Sequence, residues 1–135
     1  MVYAVIDTNI FVSAFITKNA TASTRRVINS LFAGKIKPLY NDEIIEEYSE
    51  VLHRSKFHLA DKDIQRFLHF IQTNGIDSSR FPYDGDMPDE DDRVFYEVAL
   101  SEEGSFLVTG NLKHFPKTPK VVTAAQMMDI LDHEE

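Results

Sequence analysis

The chain has 135 residues, a hydrophobic fraction of 43%, no cysteine and a formal net charge of −8. This length and composition predict one globular domain, residues 1–135. Because cysteine is absent, any metal ion would have oxygen or imidazole ligands. No apolar run reaches the ~20 residues that span a bilayer, and no basic residue precedes the first apolar run as in a signal peptide, so we expect no membrane partner and a cytoplasmic location. The negative charge also argues against binding nucleic acid through an overall positive field, although it leaves room for a local basic strip.

The first predicted strand, Val2 to Ile6, runs directly into Asp7, and Thr8 or Asn9 is a candidate N-cap for the helix that follows. Asp7 therefore falls at the carboxyl end of a strand, where open α/β sheets bind ligands. Helix capping is the alternative explanation for an acid at this place.

The middle of the chain is predicted to be mostly helical. Apolar residues at helical spacing predict three helices. The first covers 21–33 and ends at Gly34, the second runs from an Asn41–Asp42 cap through Leu52, and the third runs from Asp61 until Gly75. A short strand over 36–40 lies between the first two of these helices. The segment 76–87 is rich in turn residues and is predicted to be a loop.

The last third returns to alternating elements: a helix from about Asp91 to Ser101, a strand over 105–108, a strand at 121–122 and a helix over 123–131. Strands alternating with helices predict a three-layer α/β/α fold with a mostly parallel central sheet. Right-handed crossovers would bring the carboxyl ends of the strands to one edge, so Asp7 and Thr109 should both reach that edge.

Further acids stand on or beside apolar helices. Glu47 falls on the buried stripe that Ile44 and Tyr48 mark, and a carboxylate there is costly unless it is paired or binds a cation. Asp91 and Asp92 occupy the first turn of a later predicted helix, where capping is a strong alternative explanation. The five histidines show no metal-ligand spacing with one another.

Four segments stand in a characteristic order: DTNIFVSA, EEYSEVLHRSKF, DEDDRVFYEVA and FLVTGNLKHFP. Together they resemble the PIN domain family over essentially the whole chain. More narrowly, they resemble the small prokaryotic PIN proteins classed as toxins of toxin–antitoxin pairs. The resemblance implies a nuclease that depends on Mg²⁺ or Mn²⁺ and most often cuts RNA. It also implies a cognate antitoxin protein and a homodimer as partners to look for.

The resemblance assigns roles to individual residues. The metal-binding carboxylates would be Asp7, Glu47 and Asp92, with Asp89 in support, and the hydroxyl of Thr109 would hold a metal-bound water. Asn111 stands where the family often has an aspartate; its neutral oxygen can bind a cation without neutralising it, which puts a second metal site in doubt.

The chemistry of carboxylates supports the same assignment independently of the family resemblance. Hard oxygen ligands hold Mg²⁺ or Mn²⁺, which generates a nucleophilic water and stabilises charge on a phosphate. The ion also inverts the local field, so an acidic protein can bind a polyanion. Basic residues flanking the pocket would then hold the RNA backbone, although charge clusters are usually solvated faces; the candidates are Arg25, Arg26, Lys113 and His114.

Three other readings compete with the nuclease. A phosphatase of the haloacid dehalogenase type requires D-x-D after the first strand, and the second position here is Asn9. A receiver-like signalling domain requires paired acids at that strand, a phosphate-accepting aspartate after a middle strand and a lysine after the last one, and the chain shows none of these clearly. A degenerate PIN domain that binds RNA or a protein partner without cleavage is the strongest rival, because Asn111 replaces an acid.

Overall fold

A computed structural model describes residues 1–134 of the chain. The five strands are β1 (Val2–Ile6), β2 (Ile36–Tyr40), β3 (Ile76–Asp77), β4 (Phe106–Val108) and β5 (Val121–Val122). The six α-helices are α1 (Thr8–Ile16), α2 (Ser23–Phe32), α3 (Asp42–Leu52), α4 (Asp61–Asn74), α5 (Arg93–Leu100) and α6 (Ala124–Asp132). Within the described range, no helix combines the length and the apolar character needed to cross a bilayer.

All five strands are parallel and form one sheet in the order β3-β2-β1-β4-β5. The strand β1 lies at the centre, where Ile6 pairs with Val108 of β4. Consecutive side chains of β1 point to opposite faces of the sheet, yet Ala4, Val5 and Ile6 are all fully buried. Both faces of the sheet are therefore covered, which confirms the predicted three-layer α/β/α fold.

The loop predicted over 76–87 contains a short edge strand. Ile76 and Asp77 pair with Leu39 and Tyr40 of β2 and form β3. Two residues are too few to show an alternating pattern, so the turn residues around them dominated the prediction. The rest of the segment, through Met87, contains no further helix or strand.

The start of α5 also differs from the prediction. A one-turn 3-10 helix covers Glu90–Asp92, and the α-helix begins at Arg93. Asp92 is thus the N-cap residue of α5, but its side chain makes no capping hydrogen bond. Asp89 accepts a hydrogen bond from the backbone N–H of Asp91 at 3.0 Å and caps the 3-10 turn instead.

Helix boundaries in the first half are mostly as predicted. Asn41 caps α3 by accepting a hydrogen bond from the N–H of Ile44 at 2.9 Å. Gly34 follows α2 at a φ of 79°, a conformation that favours glycine. The expected cap at Thr8 or Asn9 is wrong, because α1 already begins at Thr8.

Candidate active site

The ends of the two central strands bring Asp7 and Thr109 together. Since Ile6 pairs with Val108, the next residue of each strand lies at the same edge of the sheet. The buried hydroxyl of Thr109 donates a hydrogen bond to Oδ2 of Asp7 at 2.7 Å. The N–H of Asp7 also donates to the carbonyl of Val108 at 2.9 Å, which holds the two strand ends in register.

The loop after β4 is attached to the same pair of residues. The N–H of Asn111 donates to the hydroxyl oxygen of Thr109 at 3.0 Å, and the N–H of Gly110 donates to Oδ1 of Asn9 at 3.3 Å. Asn9 therefore anchors the loop with its side chain. The backbone of Asn111 therefore lies beside the hydroxyl that also contacts Asp7.

Glu47 reaches this edge from α3. Its Oε2 accepts a hydrogen bond from the hydroxyl of Thr8 at 2.5 Å, so the residue next to Asp7 orients the second acid. The following residue, Tyr48, donates its buried hydroxyl to the carbonyl of Ile6 at 2.5 Å. These two contacts fix the inner face of α3 against the end of β1.

Asp92 lies at the start of α5, and one oxygen of its carboxylate has no hydrogen-bond partner within residues 1–134. Its Oδ2 is buried and has no hydrogen-bond partner among the described residues. The imidazole of His114 is close by, with its Nδ1 3.3 Å from that oxygen. Burial, followed by the negative charges of Asp7 and Asp89, raises the pKa of Asp92 from 3.8 to about 6, although His114 opposes the shift.

The pKa values of the other two carboxyl groups, Asp7 and Glu47, are also raised. Burial raises the pKa of Asp7, although the hydrogen bond from Thr109 opposes it. Burial also raises the pKa of Glu47, where the hydroxyl of Thr8 opposes the rise and the charge of Asp7 adds to it. Asp7, Glu47 and Asp92, here called the acid pocket, therefore carry more negative charge than their surroundings neutralise.

This donor set is chemically suited to a hard divalent cation such as Mg²⁺ or Mn²⁺. In residues 1–134, no three His, Asp or Glu side chains enclose a common point in their present rotamers. The buried Oδ2 of Asp92 nevertheless lacks the hydrogen bond that a buried carboxylate oxygen normally has, although Nδ1 of His114 lies 3.3 Å from it. The acid pocket thus fits a divalent cation in the kind and charge of its donors.

The segment that leads to Asp92 is held by two arginines. Arg93 donates to the carbonyls of Tyr83 and Gly85. Arg80 donates through Nε to the buried carboxylate of Glu97 at 2.7 Å, and the N–H of Tyr83 donates to the same carboxylate at 2.8 Å. Burial alone would raise the pKa of Glu97, but these donors lower it below its ordinary value.

Residues predicted to contact RNA fall into two places. Lys113 and His114 are exposed on a 3-10 turn directly after the Thr109 loop, beside the acid pocket. Arg25 donates to the carbonyls of Ala14 and Thr17 at the end of α1, and Arg26 lies 4.0 Å from Asp132. Because the nine-residue α1 begins beside Asp7 and is about 13 Å long, Arg25 lies at the end of α1 remote from the acids, and the contact of Arg26 is with the end of α6.

Sequence reasoning missed three side chains that position the site. Thr8 and Tyr48 were treated as a helix cap and a core residue, and Glu97 was not singled out. Only Glu97 gave a signal, because a carboxylate within the apolar run of α5 requires a partner. The hydroxyl contacts of Thr8 and Tyr48 depend on the crossing of α3 over β1, which no local pattern shows.

Comparison with known proteins supports one family. A family model described as a PIN domain matches residues 3–113, which include the acid pocket and Thr109. A search of curated proteins found no match.

Proposed function

Since the chain belongs to the PIN domain family, whose members are generally nucleases, we propose that it is a divalent-metal-dependent endoribonuclease that acts as the toxin of a toxin–antitoxin pair. One observation carries the enzymatic part: the acids that follow β1, lie on α3 and precede α5 are near enough for the charge of Asp7 to act on Glu47 and Asp92, and Oδ2 of Asp92 is buried without a hydrogen-bond partner. A divalent cation would satisfy that oxygen and offset the charge that raises the pKa of Asp92.

We assign the acids of the pocket to metal binding and the neighbouring hydroxyl groups to orienting those acids. Asp7, Glu47 and Asp92 would hold the cation, which when bound supplies a Lewis acid for the phosphate and an acidified water. The hydroxyl of Thr109 orients the carboxylate of Asp7, and the hydroxyl of Thr8 orients that of Glu47. Such orienting contacts typically change metal affinity or activity 10- to 100-fold when removed.

Cleavage of RNA tests the enzymatic proposal. The purified protein should cut a mixture of labelled single-stranded RNAs with Mg²⁺ or Mn²⁺ and stop in excess chelator. Asp92→Asn and Glu47→Gln should each lower the rate by at least ~100-fold. Asp129→Asn and Glu103→Gln remove the same charge from exposed positions on α6 and in the turn after α5 and should retain most of the activity. Full activity in chelator, or in both pocket variants, would refute the proposal.

Metal binding gives a readout that does not depend on activity. A cation that binds the native state stabilises it by about 2.7 kcal/mol at 100 times its dissociation constant, so Mg²⁺ or Mn²⁺ should raise the melting temperature. Asp7→Asn should lose most of that rise, whereas Asp91→Asn should keep it. Equal rises in the wild type and in Asp7→Asn would exclude Asp7 as a ligand.

The toxin role is supported by the likeness of the four motifs to small prokaryotic toxins and by membership of the PIN domain family. Induced expression in a bacterial host should arrest growth, and Asp92→Asn should not. If the wild type leaves growth unchanged while it cleaves RNA in vitro, the protein is a nuclease with another role.

A second candidate is an RNA-binding PIN domain without cleavage. Asn111 favours it, because this residue beside Thr109 supplies no charge for a second cation. Single-turnover assays at saturating Mn²⁺ separate the candidates, since a non-cleaving domain binds RNA but releases no product.

A further inference from the structure

Two clefts of opposite character flank the acid pocket. The first, the acidic cleft, has a volume of about 410 Å³ and lies between α3 and residues 90–94. Its arginine, Arg80, is already paired with Glu43 and Glu97. Six carboxylates line the acidic cleft: Glu43, Glu46, Glu47, Glu50, Glu90 and Asp91. A polyanion would be repelled on this side.

The second, here called the basic cleft, has a volume of about 320 Å³ and is formed by residues 112–121. No acid lines it, and its lysines, Lys113 and Lys117, are exposed and form no ion pair within residues 1–134. Leu112 also lines the basic cleft, is 42% exposed and adds an apolar surface to it. Positive charge beside an exposed apolar side chain suits a phosphate backbone that carries unpaired bases.

The order of the strands places these clefts on opposite sides of Asp7. The helix α3 of the acidic cleft follows β2, whereas the turn of the basic cleft follows β4, and β1 lies between β2 and β4. The basic cleft lies next to the acid pocket, because His114 follows Lys113 in the chain and its Nδ1 lies 3.3 Å from Oδ2 of Asp92. A nucleic acid that reaches the acids therefore meets positive charge on one side and negative charge on the other.

We propose that the basic cleft is the binding site for single-stranded RNA on one side of the scissile phosphate, and that the acidic cleft keeps the chain from binding symmetrically on the other. This inference rests on the proposed nuclease function for the position of the scissile phosphate. Lys113 and Lys117 contact phosphates, and Leu112 contacts the face of an unpaired base. In a duplex that face is covered by neighbouring bases, so the cleft selects single strands.

RNA binding in excess chelator tests the cleft without requiring cleavage. The probe is a fluorescein-labelled twelve-nucleotide uridine RNA measured by anisotropy. Lys113→Ala/Lys117→Ala should weaken binding by roughly 10- to 30-fold near 0.1 M salt and flatten the salt dependence by about 1.4 logarithmic units per decade, as expected for two lost phosphate contacts on a single strand. Lys35→Ala/Lys62→Ala removes the same charge from distant exposed sites and is the matched control.

Leu112→Ser tests the contact with the base. It should weaken binding of the uridine RNA several-fold while leaving an RNA duplex of the same length unaffected, whereas the lysine variant should weaken both. RNA containing 4-thiouridine should form ultraviolet cross-links to residues 112–118. Thermal melting of each variant checks that the exposed positions have not altered the fold.

The outcomes separate this inference from the nuclease proposal. Equal RNA affinity for the wild type, the cleft variant and the control overturns the inference, even if the wild type cleaves RNA with Mn²⁺. Weak binding of the cleft variant alone supports the inference, even if no cleavage occurs and the nuclease proposal fails. Cross-links confined to the acidic cleft, or no RNA binding by the wild type either in chelator or with Mn²⁺, would also overturn it.

Discussion

Asp92→Asn tests the charge imbalance of the acid pocket through the stability of the metal-free protein. Burial and the neighbouring acids raise the pKa of Asp92 to about 6 in the folded chain, against 3.8 for the free side chain. The folded state therefore binds the Asp92 proton more tightly than the unfolded state does. Stability from this group is fully present below pH ~4, falls as the pH rises toward ~6, and stays low above that value.

The size of this stability difference follows from the folded and free pKa values of Asp92. The difference between 3.8 and about 6 corresponds to about 3 kcal/mol at full strength. The pocket is open to solvent, so screening reduces this to about 1–2 kcal/mol. At pH 7.5 we therefore expect Asp92→Asn to be about 1 kcal/mol more stable than the wild type.

Urea denaturation followed by circular dichroism measures this difference. The wild type, Asp92→Asn and the control Asp91→Asn are unfolded in excess chelator at pH 4.5, 5.5, 6.5 and 7.5. The gain of Asp92→Asn should be near zero at pH 4.5 and should grow up to pH 6.5. A difference that does not vary with pH, or a variant less stable than the wild type at pH 7.5, would refute the reasoning from burial and repulsion.

Three further substitutions probe the surrounding contacts. Thr109→Val removes the hydroxyl that Asp7 and the N–H of Asn111 share; urea unfolding should show a loss of about 1–3 kcal/mol, and no loss would contradict the buried contact. Tyr48→Phe leaves the carbonyl of Ile6 unpaired and should cost about 1–2 kcal/mol in the same assay, with an unchanged midpoint as the contrary result. Asn111→Asp should raise Mn²⁺ affinity several-fold in calorimetry and speed cleavage at low metal; unchanged affinity and rate would place position 111 outside the metal site.

Local sequence patterns were sufficient to predict most of the fold. An apolar run ending in Asp7 and an apolar run ending in Thr109 were each visible, and alternation with helices required parallel strands whose ends align. Glu47 was recognisable because it interrupts the periodic apolar face of α3. These inferences worked because hydrophobic periodicity depends on neighbours three or four residues away.

Tertiary structure decided what each acid contacts. Capping remained a reasonable explanation for Asp92 until the fold showed that its side chain makes no capping hydrogen bond and lies 3.3 Å from the imidazole of His114, on the turn after β4. The position of Arg25 at the end of α1, where it donates to the carbonyl of Ala14, likewise could not be read from its charge.

The same division applies to the clefts. The sequence alone showed acids crowded near α3 and basic residues near Lys113, but a one-dimensional order cannot tell whether two clusters share a surface. The strand order β3-β2-β1-β4-β5 places them on opposite sides of Asp7. Desolvation and charge repulsion act through space between atoms that are distant in the chain, so the raised pKa of Asp92 and the asymmetry of its surroundings emerge only when the sheet has formed.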